Sequence, residues 1–188
     1  MNKQMFVDKA NEIEIPKLMI QAIITEDDIG AVLRIHLLCE QLAEAWICAA
    51  CDADNFFGKG DYSVRINCSD KFKLARNLGL PAPIYSCLRI INKIRNDVAH
   101  KHNFDLIPQG SIDSLINLLK DFQADDSPDS LTINASLAYR KADGSSSEEH
   151  SVHNENTPNR IKLYICFSLI MHWLIFSIGN DDESHNNE

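Results

Sequence analysis

A long run of apolar residues between positions 28 and 53 constrains the fold of this chain most. Its members recur at alternating spacings of three and four residues: Val32, Ile35, Cys39, Leu42, Trp46, Ala49 and Ala53. This seven-residue repeat predicts a long helix with apolar a and d positions. Leu33, Leu37 and Leu38 widen its apolar surface. We therefore expect the helix to lie at the centre of the fold or at a dimer interface.

The ends and the polar residues of this helix can also be predicted. Thr25 can cap the first turn, and the acids at positions 26–28 suit the positive end of the helix dipole. The helix is expected to end near Ala53. Arg34, His36 and Glu40 interrupt its apolar surface. Either they face a neighbouring helix and support a functional site there, or they form a solvated face with one histidine at the edge of the core.

A second helix, expected to start near residue 83, ends in a group of polar residues. Its apolar residues follow helical spacing: Ile90, Ile91, Ile94 and Val98. One face therefore packs inward. Arg95, Asn96 and His100 lie within six residues at the expected end of the helix. Because arginine is suited to phosphate and histidine exchanges a proton near neutral pH, this trio has the chemistry of a phosphodiester site.

The rest of the chain predicts further helices joined by loops. We expect helices at about residues 17–24, 71–78 (capped by Ser69 or Asp70), 112–122 (capped by Ser111) and 161–178. Residues 62–66 indicate a short extended segment, and 131–139 favour neither helix nor strand. Residues 141–158 predict a flexible connection, and 180–188 a disordered acidic tail. The predicted fold is all-α: an up-and-down bundle of about five to seven helices in a single domain, residues 1–188.

The charged residues are unevenly distributed. The formal net charge is −9, yet residues 59–101 contain nine of the 18 Lys and Arg and three of the 27 Asp and Glu. That segment is positive and includes Arg95, while the remainder is strongly negative. A basic segment around a candidate phosphate site favours a nucleic-acid ligand, which the overall charge alone would argue against.

The six cysteines and one apolar segment indicate in which cellular compartment the protein is expected. The N-terminus shows no signal peptide, so we expect reduced, mostly buried thiols in a cytoplasmic protein. Cys48 and Cys51 form a CxxC pattern within a helix, without a second pair. Residues 161–178 are borderline in length for a membrane span. Lys162 and His172 lie within them, which favours a buried final helix over a membrane anchor.

The trio also carries a family resemblance. Arg95-Asn96, followed by His100 after three residues, resembles the signature of the HEPN superfamily. The wider stretch, from Ser63-Val64-Arg65 through Leu78-Gly79-Leu80 to the trio, resembles its mannitol operon repressor (MltR)-like branch. The resemblance spans roughly residues 26–122. It implies a homodimer in which two protomers bring their motifs together across a two-fold axis to form a metal-independent ribonuclease.

On this basis each residue of the trio is given a role. His100 takes the proton from an RNA 2′-hydroxyl, or delivers one to the leaving oxygen. Arg95 stabilises the charge on the phosphorus-centred transition state, and Asn96 holds Arg95 or a phosphate oxygen. The product is a 2′,3′-cyclic phosphate, and DNA is inert because it lacks the nucleophile.

The prediction extends to the residues beside the trio and to the need for a cofactor. Lys93, Lys101 and His102 flank the trio and are expected to contact RNA. We expect no metal and no cofactor, because the histidines and carboxylates show no spacing typical of metal ligands. Such a nuclease would be the toxin of a toxin–antitoxin or defence system, with a cognate antitoxin as its protein partner.

A simpler interpretation of the trio leads to a different function. Arg95 would pair with Glu40 or Glu44, Asn96 would be solvated, and His100 would complement the negative end of its helix. The protein would then be a non-catalytic binding protein. It would be either an MltR-like transcriptional regulator acting through a protein partner, or an acidic immunity or antitoxin protein that neutralises a basic nuclease toxin.

Overall fold

The computed structural model describes residues 1–13, 15–24, 27–100, 107–120, 132–140 and 143–180. The helices within these ranges are α1 (Lys3–Glu12), α2 (Ile15–Ile24), α3 (Asp28–Ala50), α4 (Cys68–Asn77), α5 (Ala82–His100), α6 (Gln109–Lys120) and α7 (Asn159–Asn180). A short 3₁₀ turn, Gly60–Tyr62, and a two-stranded sheet of β1 (Ser136–Leu137) and β2 (His150–Ser151) complete the described elements. This architecture confirms the predicted all-α bundle.

Helix α3 lies at the centre of the bundle, as its apolar repeat predicts. It contacts α1, α2, α4, α5 and α7. The repeat residues within the helix are all buried: Val32, Ile35, Cys39, Leu42, Trp46 and Ala49. The Trp46 indole N–H donates to the carbonyl oxygen of Leu78 at 3.2 Å, which ties α3 to the end of α4.

The surface and the ends of α3 differ from the prediction. Leu38 is buried as expected, but Leu33 and Leu37 are 46% and 45% exposed. The cap is Asp27, whose carboxylate accepts from the N–H groups of Ile29 and Gly30 at 3.0 and 2.8 Å. A carboxylate at this position satisfies two free amides of the first turn. The predicted cap, Thr25, lies outside the described residues, and the helix ends at Ala50 rather than near Ala53.

Helix α4 begins three residues earlier than predicted. Its cap is Asn67, whose side-chain oxygen accepts from the N–H of Asp70 at 3.0 Å, rather than Ser69 or Asp70. The earlier start places Cys68 and Ser69 in the first helical turn. After α4, Gly79 adopts a φ of +92°, which L side chains rarely adopt, and the chain turns into α5.

Helix α5 starts at Ala82, close to the predicted residue 83, and is helical as far as His100, where this described range stops. It buries a stripe of apolar residues against its neighbours: Ile84, Cys87, Leu88, Ile91 and Ile94. Ile90 and Val98 are partly buried and pack against the same core. This packing fixes the orientation of α5 relative to α3 and α4.

The C-terminal part of the chain closes the bundle. Helix α7 is buried along most of its length, with Leu163, Phe167 and Ile170 fully buried, which confirms the predicted buried final helix. None of the helices that the structure describes has the length and apolarity needed to cross a membrane. Helix α6 starts at Gln109 rather than Ile112 and buries Leu115 and Leu119.

The segment between α6 and α7 carries more structure than the flexible connection predicted for residues 141–158. Strand β1 pairs antiparallel with β2, with Ser136 opposite Ser151. Val152 and Thr157 are buried, and β2 contacts α7. Residues 141–142 and the predicted acidic tail from 181 onward lie outside the described ranges.

The burial of α7 can be tested with two isoleucines on this one helix. Ile170 is fully buried and Ile175 is 49% exposed. We expect Ile170→Ala to lower the free energy of unfolding by about 2–5 kcal/mol, because it leaves a cavity in the core. Ile175→Ala should lower it by under about 1 kcal/mol. Urea denaturation of both variants measures the difference, and equal losses would contradict the packing described for α7.

Candidate active site

Polar residues from three helices line one cleft of about 340 Å³. Asn92, Arg95 and Asn96 are three and four residues apart on α5, so they lie on one face of that helix. They are joined in the cleft by side chains from α3 and from the start of α4: His36, Glu40, Asn67, Cys68 and Ser69. The cleft therefore contains two members of the predicted trio, Arg95 and Asn96.

Arg95 has capacity for a further acceptor in this cleft. Its Nη1 donates to Oδ1 of the adjacent Asn96 at 3.2 Å. Its Nε is buried and has no hydrogen-bond partner among the described residues. A buried donor without an acceptor costs free energy, roughly 1–3 kcal/mol.

Lys71, and not Arg95, pairs with the two carboxylates of α3. Its Nζ lies 2.7 Å from Glu40 and 2.5 Å from Glu44. Burial lowers the pKa of Lys71, but its hydrogen bonds to these carboxylates outweigh that effect, and the net shift is upward. The interpretation in which Arg95 pairs with Glu40 or Glu44 is therefore wrong. Lys71 lies in the first turn of α4, which packs against α3.

His36 lies beneath the cleft. Its side chain is buried, and Nε2 is 3.0 Å from Oδ1 of Asn92. Burial lowers the pKa of His36, and the nearby charge of Arg95 lowers it further. Among the polar residues of α3, His36 contacts α5 through Asn92, whereas Glu40 pairs with Lys71 of α4. Arg34 is not among the residues that line this cleft.

The remaining predicted residues lie beside the cleft or outside the described side chains. Lys93 is exposed and lines an adjoining depression together with Arg89, Asn96 and Asp97. His100 is the last described residue of α5, and its side chain is outside the described part of the structure. Lys101 and His102 also fall outside it.

One group of residues in the cleft was missed by the sequence analysis. Ligand atoms of His36, Glu40 and Cys68 lie within 4.8 Å of one another. The spacing of His36 and Glu40, four residues apart on a helix, is a signal that sequence reasoning can detect. Cys68 comes from another helix and could be added only with the structure. Burial raises the pKa of the Cys68 thiol to about 12, and the charge of Glu40 adds to this shift.

None of the family models, curated proteins or solved structures compared with this chain matches it. The structure itself defines an all-α protein with a polar cleft between three helices. The family resemblance rests on the motif around Arg95, Asn96 and His100.

The burial of His36 predicts a measurable pH dependence of stability. Its pKa is lower in the folded protein than the ordinary value of 6.5, so the unfolded chain takes up a proton first as the pH falls. The contribution of a neutral His36 is present above pH 6.5 and is lost as the pH falls toward the folded pKa. We expect His36→Gln, which retains an N–H donor for Asn92, to show a shallower loss of stability below pH 6.5 than wild type.

Urea denaturation at a series of pH values measures this effect. His153→Gln is the matched control, because His153 is exposed to solvent. Its profile should follow that of wild type. If the profile of His36→Gln also followed wild type, the burial of His36 would not be the source of the pH dependence.

Proposed function

We propose that this protein is a HEPN-like, metal-independent endoribonuclease whose cleft between α3, α4 and α5 receives the scissile phosphate. The proposal depends mainly on the position of Arg95 and on its hydrogen-bond partners. Its guanidinium lines the cleft beside Asn96, its Nε has no acceptor among the described residues, and the nearby carboxylates are occupied by Lys71. A guanidinium held in this way is suited to a phosphate.

Two further features favour an anion in the cleft. Cys68 and Ser69, the first residues of α4, line it, so the positive end of the α4 dipole lies at its edge. The Asn96 amide and the Ser69 hydroxyl add neutral donors. Together with Arg95 these groups match a phosphodiester better than they match a neutral ligand.

The proposed reaction transfers the phosphoryl group within the RNA strand. The 2′-oxygen forms a bond to phosphorus, the bond from phosphorus to the 5′-oxygen breaks, and a 2′,3′-cyclic phosphate results. His100 takes the proton of the 2′-hydroxyl, or supplies one to the leaving oxygen. Arg95 stabilises the added negative charge, and Asn96 keeps Arg95 in place through their hydrogen bond. Lys93, Lys101 and His102 contact the RNA backbone.

A homodimer would complete the site, and α3 offers a surface for it. Ile29, Leu33 and Leu37 are each 41–46% exposed and recur every four residues. On a helix this spacing produces a stripe on the same side as His36 and Glu40. Exposed apolar stripes are typical of interaction surfaces. Pairing two such stripes would bring two clefts close together, as the family resemblance implies.

The acidity of the chain favours one alternative, an immunity or antitoxin protein. The net charge is −9, although residues 59–101 are positive. An acidic surface of this kind would attract a basic nuclease toxin by long-range electrostatics. The same cleft would then be a structural feature without catalysis.

Cleavage of a mixed RNA pool in EDTA separates these functions. We expect wild type, confirmed as a dimer by light scattering, to cleave RNA and leave 2′,3′-cyclic phosphate ends. His100→Ala should slow cleavage by roughly 10²–10⁴-fold, the contribution of a general acid or base. Arg95→Ala should slow it by roughly 10²–10³-fold, because a transition-state donor is lost.

Arg140→Ala is the matched control for loss of an arginine. Arg140 is exposed, bridges to Ser146 in the segment before α7, and does not line the cleft. This variant should cleave like wild type. A folded, dimeric wild type that leaves the RNA intact would refute the nuclease and favour the acidic binding protein.

A further inference from the structure

We propose that His36, Glu40 and Cys68 form a binding site for a divalent transition-metal ion of the Zn²⁺ class at the junction of α3 and α4. One ring nitrogen of His36, one carboxylate oxygen of Glu40 and the sulfur of Cys68 lie within 4.8 Å of one another. Ligand atoms around a tetrahedral Zn²⁺ are separated by about 3.3–3.8 Å, given bond lengths of about 2.0–2.3 Å. Small side-chain rotations are therefore enough to close the site.

The donor set selects the kind of ion. Imidazole and thiolate ligands suit Zn²⁺, whereas Mg²⁺ and Ca²⁺ prefer sites made of oxygen alone. His36 and Glu40 lie one helical turn apart on α3, and Cys68 lies in the first turn of α4. Three protein ligands leave a fourth position for water, an arrangement that zinc sites with open coordination share. That position would face the cleft.

Two of the three ligands are already held by neighbouring side chains. His36 Nε2 contacts Asn92 Oδ1 at 3.0 Å, and Glu40 Oε1 accepts from Lys71 Nζ at 2.7 Å. Metal-binding histidines and carboxylates are commonly oriented by hydrogen bonds of this kind. The contact with Asn92 uses Nε2 of His36, and the pair with Lys71 uses Oε1 of Glu40. With these contacts kept, Nδ1 of His36 and Oε2 of Glu40 would be the ligand atoms.

The charges in the site accommodate a divalent ion. Cys68 is a free thiol, half-buried, with its pKa raised to about 12. On binding, its S–H bond breaks, the proton passes to solvent, and the thiolate coordinates the ion. The formal charges of Glu40, Glu44, Lys71 and Arg95 cancel in the empty site. The ion and the thiolate would together add a single positive charge at the cleft.

Such an ion would have two effects on the protein. It would join α3 to α4 through coordinate bonds, and it would place positive charge close to Arg95. Its binding does not depend on the proposed RNA cleavage. Retention of cleavage in EDTA would show only that the chemistry needs no metal, while metal binding is measured without RNA. The two proposals therefore succeed or fail separately.

Titration of the reduced, metal-free full chain with Co²⁺ tests the site. We expect visible d–d absorption of tetrahedral Co²⁺ and a near-ultraviolet thiolate-to-cobalt charge-transfer band, both displaced by Zn²⁺. Cys68→Ser should abolish the charge-transfer band and weaken Co²⁺ binding at least about tenfold. His36→Gln should weaken binding by a similar factor while keeping the charge-transfer band at saturation.

Cys51→Ser is the matched control, because Cys51 is also a free thiol but is exposed and lies after the end of α3. This variant should bind Co²⁺ like wild type. Circular dichroism establishes that each variant is folded. The proposal is overturned if folded wild type shows no charge-transfer band. It is also overturned if the band persists in Cys68→Ser, or if it disappears in Cys51→Ser, since the thiolate would then be a different cysteine.

Discussion

Burial of α3 on most of its sides is the constraint on which the rest of the structure depends. A helix whose repeat residues are all buried needs neighbours around it, and α1, α2, α4, α5 and α7 provide them. Buried polar groups without partners are costly, and two polar residues of that helix find partners on those neighbours. His36 finds Asn92 on α5, and Glu40 finds Lys71 on α4. The cleft arises where these polar contacts interrupt the apolar packing.

The pairing of Lys71 with Glu40 and Glu44 has a consequence for Arg95. One ammonium group takes both carboxylates, so the guanidinium of Arg95 keeps a buried Nε without an acceptor among the described residues. Buried donors in folded proteins usually have a hydrogen-bond partner, and among the described residues the Nε atoms of Arg95 and Arg160 lack one. An arginine that is held by Asn96 and makes no ion pair with Glu40 or Glu44 is suited to binding a phosphate.

The helices with regular apolar spacing could be predicted from the sequence. Contacts between residues far apart in the chain could not. The repeat from Val32 to Ala49 and the limits of α5 depend on local spacing, which the sequence contains. The start of α4 depended on competition among Asn67, Ser69 and Asp70, each of which can cap a helix. The pairing of Lys71 with Glu40 and the approach of Cys68 to His36 join residues of different helices, and no local spacing encodes them.

The central claim is that Arg95 binds a phosphate of RNA in the cleft. The most direct measurement is an NMR titration of the arginine Nε–Hε signals with a 2′-O-methyl RNA oligonucleotide, which binds but lacks the nucleophile. The Arg95 signal is identified by its loss in Arg95→Lys. We predict a saturable downfield shift of this signal as its N–H gains a charged acceptor. An unchanged Arg95 signal at saturating RNA would contradict the account.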